Sequence, residues 1–317
     1  MLRPFGAGDI PEYAELYRKY FPDESALLLA DAGAFQRVIA RMFQWDARLI
    51  FGFLRAIGRP IGHFFALEVD GTLAGVTFLL FDGGVGYIAS VAVDARFRRR
   101  GYARQLMAAA EAAAARRGCR YTVLDVIESN LPAIQLYKSM EYHPIRRVGW
   151  YYRDLGGANP PLPDAPKGAP GPVLRPFRRS DGEVLAEIAR SRQPSLERSV
   201  RPTRPSAFSV PPLLTRALGG ATRAFVLVDP AGRPDGFVRS SSSTVVGSGN
   251  MVVPMVGPQV SEERALGLLD HGLAWFRDHP VRRIICEVPE DDRSALVRLG
   301  SRGFQRGLGL ETLAKSL

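Results

Sequence analysis

The chain has 317 residues, 46% hydrophobic and 23% charged, an ordinary globular balance that fits about two domains. Its net charge of +10 rests almost wholly on arginine, since lysine occurs only at Lys19, Lys138, Lys167 and Lys315; this suits a polyanionic small ligand, and a nucleic-acid partner is not expected. Two cysteines, Cys119 and Cys286, exclude a disulfide framework and a cysteine-rich zinc site and fit a reducing, cytoplasmic setting, while the lack of a signal pattern or of about 18 consecutive apolar residues argues against a membrane span.

In chain order, Leu2–Phe5 reads as a short strand and Ile10–Tyr20 as a helix, with a further helix over Ala34–Phe43. Between Phe21 and Pro60, Phe43, Trp45, Phe51 and Phe53 are interspersed with arginines. This is the pattern of an amphipathic helix pair; an apolar acceptor pocket and a membrane-surface face are the other readings. Phe64–Val69 and Leu73–Phe81 flank Asp70-Gly71, a hairpin signal. Val85–Val93 alternates, which predicts Tyr87, Ala89, Val91 and Val93 on one face. Tyr102–Arg117 carries the helical stripe Leu106, Met107, Ala110, Ala113 and Ala114, and Gly118 stands where a helix-ending glycine belongs. Tyr121–Ile127 is a strand, Asn130 can cap a short helix through Met140, and Tyr142–Asp154 returns as one strand or two.

The stretch 156–172, GGANPPLPDAPKGAPGP, can form neither helix nor paired strand and reads as a linker. Beyond it the chain repeats itself. LRPF at 2–5 recurs at 174–177, and Asp9, Ala14 and Glu15 are matched by Asp181, Ala186 and Glu187 at the same offset of 172. A repeat this long means two copies of one domain, each of mixed α/β type.

After Val93 the chain crowds Arg96, Arg98, Arg99 and Arg100 at the mouth of a helix, where each costs the helix some tenths of a kcal/mol. A bound polyanion reverses that sign. The first N–H groups of a helix are unsatisfied and point outward, and Gly101 lets the backbone approach an anion with no Cβ in the way. The plainer reading is a solvated basic loop in an arginine-rich protein.

Arg98-x-x-Gly101-x-Ala103, after an apolar strand and opening an amphipathic helix, resembles the pyrophosphate loop of the GNAT superfamily of acetyl-CoA-dependent N-acyltransferases. Downstream, LDVIESNLPAIQLYKSMEY (124–142) resembles the superfamily's second signature, Asn-x-x-Ala-x-x-Leu-Tyr, with Glu141-Tyr142 where Gly-Phe is usual. The resemblance covers about residues 1–155. It implies an α/β fold class: two tandem GNAT folds, each a central twisted, mostly antiparallel sheet flanked by helices. The expected division is a catalytic domain over 1–155, a linker over 156–172 and a degenerate GNAT-like domain over 173–317. This layout is similar to that of the mycothiol synthases.

Carried over residue by residue, the resemblance implies acetyl-CoA as cosubstrate and no metal. Arg98, Arg99, Arg100, Gly101, Tyr102, Ala103 and Arg104 would hold the pyrophosphate, with guanidinium groups near the 3′-phosphate. Val91, Ala92 and Val93 would pair with the pantetheine arm. Asn130 would touch that arm, cap its helix, or do both. Tyr137 would donate a proton to the leaving thiolate. Asp125, twelve residues before it, stands where the ribosomal-protein acetyltransferases have their glutamate base; Glu128, Glu68, His63, His143 and bulk water remain rivals. Cys119, far from any histidine in sequence, reads as a core residue.

In the second copy, at an offset of 162, Arg98 becomes Val260, Arg100 becomes Glu262, Gly101 becomes Glu263, Asn130 becomes Asp292 and Tyr137 becomes Leu299. Two carboxylates then stand where a pyrophosphate would sit. The expectation is an acetyltransferase acting on a small-molecule or peptide primary amine in a ternary complex, as a monomer whose second domain serves as intramolecular pseudo-dimer partner. A non-enzymatic acyl-CoA sensor and a basic nucleic-acid-binding protein are the alternatives.

Overall fold

The computed structural model describes residues 1–28, 37, 62–156, 161–164, 173–209, 220–243, 247–279 and 281–317. The helix expected over Ala34–Phe43, most of the Phe21–Pro60 segment and much of the linker lie outside the described residues. The chain forms two compact units, Met1–Arg147 with Leu310–Leu317, and Val148–Gly309.

In the first unit, β1 (Leu2–Pro4), β2 (Gly62–Val69), β3 (Thr72–Asp82), β4 (Val85–Val93), β5 (Tyr121–Ile127) and the last part of β12 (Gln305–Ser316) follow in that order across the sheet. All neighbours are antiparallel except β4 and β5, which are parallel. Helices α1 (Ile10–Tyr20) and α2 (Pro22–Leu28) precede β2; α3 (Tyr102–Arg116) and α4 (Leu131–Lys138) flank β5 in sequence. One face packs Tyr13, Ala14 and Leu16 of α1 on Val76, Phe78 and Ala92. The other packs Met107, Ala110 and Ala114 of α3 and Ile134 and Tyr137 of α4 on Leu79, Ile88, Leu124, Val126 and Leu313.

Local chemistry explains the boundaries. Asp70 and Gly71 have φ of 50° and 73°, the left-handed pair that a two-residue hairpin turn requires. Gly118 follows α3 at φ 77°, and the Asn130 carboxamide accepts from Ala133 N–H at 3.3 Å to cap α4. The expected single face for β4 is corrected. Ser90 has φ 53°, and the register steps from Phe78↔Ala89 to Val76↔Ala92, so two residues oppose Thr77. This bulge leaves Ala89 on the α1 face and turns Val91 and Val93 to the α3 face.

The second unit repeats the plan. Its sheet runs β7 (Val173–Pro176), β8 (Gly220–Val228), β9 (Pro234–Ser243), β10 (Ser248–Val256), β11 (Arg283–Pro289) and the later part of β6 (His143–Asp154). Only β10 and β11 are parallel. Helices α5 (Gly182–Arg192), α6 (Ser195–Val200), α7 (Glu262–Ala274) and α8 (Arg293–Gly300) complete it. The repeated LRPF makes one local device twice. Arg3 forks onto Asp9 at 2.6 and 2.8 Å, and Arg175 onto Asp181 at 2.7 Å on both arms. In each case the aspartate also accepts a backbone N–H, from Gly6 or Arg178.

Candidate active site

Contacts within the chain shape the arginine loop. Asp94, buried at the end of β4, accepts from both N–H and Nε of Arg96 and faces Lys19 at 3.8 Å. Its carboxyl is held low: burial works the other way, but the bonds to Arg96 outweigh it. Tyr20, at the end of α1, accepts Ala95 N–H at 2.7 Å and carries the Arg98 guanidinium 4.1 Å from its ring centroid. Arg98 Nε donates to the Val93 carbonyl at 3.0 Å. Arg96 and Arg98 therefore shape the loop, whereas Arg99 and Arg100 are exposed with no acidic partner among the described residues.

Gly101 is the N-cap of α3 at φ 81°, with no side-chain cap, and Arg99 before it has φ 63°. The first helical bond runs from Gln105 N–H to the Gly101 carbonyl. The N–H groups of Tyr102, Ala103 and Arg104 thus lack a backbone acceptor among the described residues. The Arg104 side chain turns aside to Ser139 Oγ, at the C-cap of α4, at 2.7 Å. Among the described residues, three N–H groups without a backbone acceptor, a positive helix end and two guanidiniums without an acidic partner make this end of α3 suited to an anion.

Next to this loop the sheet opens. β4 and β5 pair only from Val85↔Tyr121 to Tyr87↔Val123; beyond that point the strands part at the bulge. Tyr137 on α4 is buried with Leu124 and Val126. Burial, and secondarily Glu24, push its phenol above the ordinary tyrosine value, so it stays protonated at neutral pH. Asp125 alternates to the opposite face of β5. There its two oxygens accept from Tyr87 Oη at 2.8 Å and from Thr312 Oγ1 at 2.5 Å.

Sequence reasoning missed three residues here. Glu24 on α2 is pushed up to about 7 by burial, with Asp23 adding to it, and its charge opposes ionisation of Tyr13, Tyr17 and Tyr137. Tyr20 braces the loop. Thr312 lies 187 residues from its partner. No local pattern marks any of them. Cys119 is buried and its thiol pushed up by that burial, as expected of a core residue.

In the second unit the start of the corresponding helix carries side-chain contacts of its own. Helix α7 starts at Glu262, capped by Ser261 Oγ accepting from Arg264 N–H. By cap position the counterpart of Gly101 is Ser261, so the offset of 162 holds along the buried stripe but not at the helix start, and Glu262 and Glu263 occupy the first turn. Glu262 pairs with buried Arg298 at 2.7 Å. Arg192 reaches from α5 to the Val256 carbonyl at 3.0 Å and to Asp292 Oδ2, at the cap of α8, at 2.6 Å.

Residues 11–142 match the model of the acetyltransferase (GNAT) family. The first unit carries a GNAT acetyltransferase domain. A stretch of 63 residues is 41% identical to the chloroplastic GCN5-related N-acetyltransferase 4 of Arabidopsis thaliana, covering 20% of this chain and 22% of that protein. The whole chain overlays a GCN5-related N-acetyltransferase from Sphaerobacter thermophilus at 18% identity and TM-score 0.65, covering 95% of that chain. It overlays a tandem GNAT protein from the clavulanic acid biosynthesis pathway equally well, at 18% identity and TM-score 0.65, covering 98% of that chain. These overlays establish the fold, and the GNAT domain points to acyl transfer.

Among the described residues no helix is long and apolar enough to cross a membrane.

Proposed function

We propose that the first unit transfers an acetyl group from acetyl-CoA to a primary amine of a small molecule or peptide, by direct attack in a ternary complex. The observation that carries this reading is the start of α3: a left-handed Gly101, three N–H groups without a backbone acceptor among the described residues and exposed Arg99 and Arg100, with β4 and β5 parting beyond Tyr87 and Tyr137 packed on Leu124 and Val126. Acetyl-CoA supplies an activated thioester. The protein has to hold it, orient the amine and manage two protons.

Backbone groups of Val91, Ala92 and Val93 edge the gap, where an extended arm can add as a strand. Arg98 already takes the Val93 carbonyl, which leaves fewer groups for that arm. Asn130 is occupied as a helix cap. Tyr137 serves the leaving sulfur as a neutral donor. Because its phenol is harder to ionise than usual, hydrogen bonding to the developing thiolate is its main contribution. No enzyme nucleophile takes part.

Asp125 accepts the amine proton through a water, using the lone pairs that Tyr87 and Thr312 leave open. A second reading of the base rests on Glu24: a carboxyl near 7, close to Tyr137, is poised for proton transfer at neutral pH. The second unit, filled by Arg192 and by the Arg298–Glu262 pair, takes no coenzyme and serves as an intramolecular partner.

The test is thiol release from acetyl-CoA with an alanyl peptide, an N-terminally blocked lysine peptide and a polyamine as acceptors, alongside calorimetric titration with acetyl-CoA. One site per chain, turnover of at least one amine, and a Tyr137→Phe variant that loses rate while keeping its coenzyme Kd support the reading. Two sites refute the second unit's role. Binding without turnover, unchanged by Tyr137→Phe, favours a sensor.

A further inference from the structure

Residues 1–147 leave β5 at the edge of the first unit's sheet. The strand that covers it comes from the far end of the chain. Leu310–Ser316 pair with Ile127–Tyr121 in unbroken antiparallel register, which sets Thr312 opposite Asp125. Thr312 is 1% exposed, and its hydroxyl donates to one Asp125 oxygen while Tyr87 donates to the other. A carboxylate that accepts one donor from each of two flanking strands has both its position and its plane fixed.

The rest of the strand is equally engaged. Leu313 is fully buried in the cluster that holds Tyr137. Lys315 pairs with Glu111 of α3 at 2.9 Å, and Glu311 with Arg147 at 2.8 Å. These charges alternate to the face opposite Thr312, so on β12 it is a neutral hydroxyl that meets Asp125.

We propose that the last strand of the chain completes the acetyltransferase site, with Thr312 as a positioning residue that holds Asp125, and Tyr87 with it, in the gap between β4 and β5. The inference rests on Asp125 acting as base. It assigns the first unit's activity to a discontinuous stretch of chain, and it gives a residue 187 positions away a part in the chemistry.

The experiment uses the full chain with Thr312→Val, which keeps the branched shape and removes the donor, and Thr312→Ser, which keeps the donor. The carboxyl 13C chemical shift at neutral pH in aspartate-labelled protein, with Asp125→Asn assigning the resonance, reads the contact directly. The lost donor moves the Asp125 carboxyl resonance in Thr312→Val, since one of its two oxygens no longer accepts a hydroxyl. Thr312→Ser stays close to wild type. With the amine turned over fastest, kcat falls at least about tenfold in Thr312→Val, the KM for acetyl-CoA holds, and Thr312→Ser restores kcat.

An Asp125 carboxyl resonance unmoved by Thr312→Val overturns the proposal. So does an unchanged kcat in Thr312→Val when Asp125→Asn is inactive. Full activity in Asp125→Asn instead removes Asp125 as base, which is the failure of the underlying reading. If Thr312→Val does not fold, Tyr87→Phe removes the other donor and is held to the same carboxyl resonance and rates.

Discussion

Gly101 allows the anion-binding role of the loop to be separated from its shape. At φ 81° a side chain is strained, yet a Cβ there meets nothing within 4 Å. Gly101→Ala therefore costs only the backbone preference, about 1 kcal/mol, or roughly fivefold in Kd if the loop relaxes when empty. Gly101→Glu adds a carboxylate at the helix end, which competes for the free N–H groups and repels the incoming phosphates. At about 5 Å and an effective dielectric between that of a protein surface and that of water, each pair of charges costs about 1–3 kcal/mol. The two contributions together predict Kd weakened by about 30-fold to 1000-fold. Calorimetric titration with acetyl-CoA at two salt concentrations is the assay. High salt should narrow the gap between the glutamate and alanine variants, because only the charged contribution is screened. Equal affinities for the two variants, or a glutamate variant within threefold of wild type, would refute a phosphate site at the start of α3.

Three further outcomes follow from other contacts. If Glu24 is the base, kcat/KM rises with pH through about 7, where its carboxyl loses its proton, and Glu24→Gln abolishes that limb; an unchanged profile returns the role to Asp125. Asp181 is held low because the bonds from Arg175 and Arg178 N–H outweigh the burial that works against them, and Asp9 is held low chiefly by Arg3. A depressed carboxyl stabilises the fold above its unfolded pKa, about 3.9, and that stability is lost as pH falls through the lower folded value. Asp181→Asn should cost about 2–4 kcal/mol at pH 7 and Asp9→Asn less, since its pair is more exposed; in thermal melts both deficits shrink below about pH 4. Gly249→Ala should cost about 2 kcal/mol in the same melts, because its Cβ would lie 2.4 Å from Cε1 of buried Phe276.

Most local features of the fold were legible because they are written in adjacent residues. The Asp70-Gly71 hairpin, the Asn130 cap, the stripe of α3 and the glycine after it each need only a few neighbours. The β4 alternation failed at Ser90 because a bulge inserts one residue without any glycine or proline to announce it. The offset of 162 holds along the buried stripe of α7, Leu268, Leu269 and Gly272, but that helix starts earlier, at the Ser261 cap, than the offset implies. Of the candidate site, the arginine loop was marked by adjacent residues and by its resemblance to the GNAT pyrophosphate loop, but Tyr20, Glu24 and Thr312 were not: each matters through a partner far away in sequence. Long-range pairing leaves no periodicity behind it.

The divided first unit has a consequence for synthesis. Its first 147 residues leave the ribosome well before its last strand, with 310 − 147 = 163 residue steps separating Arg147 from Leu310. At about 5–20 residues per second, that is a wait of about 8–33 s. During it, the edge of β5 is uncovered and open to pairing with other chains. Translation speed across the second half thereby sets how long that edge waits, and slow codons there should cost yield of soluble protein even though they encode the other unit.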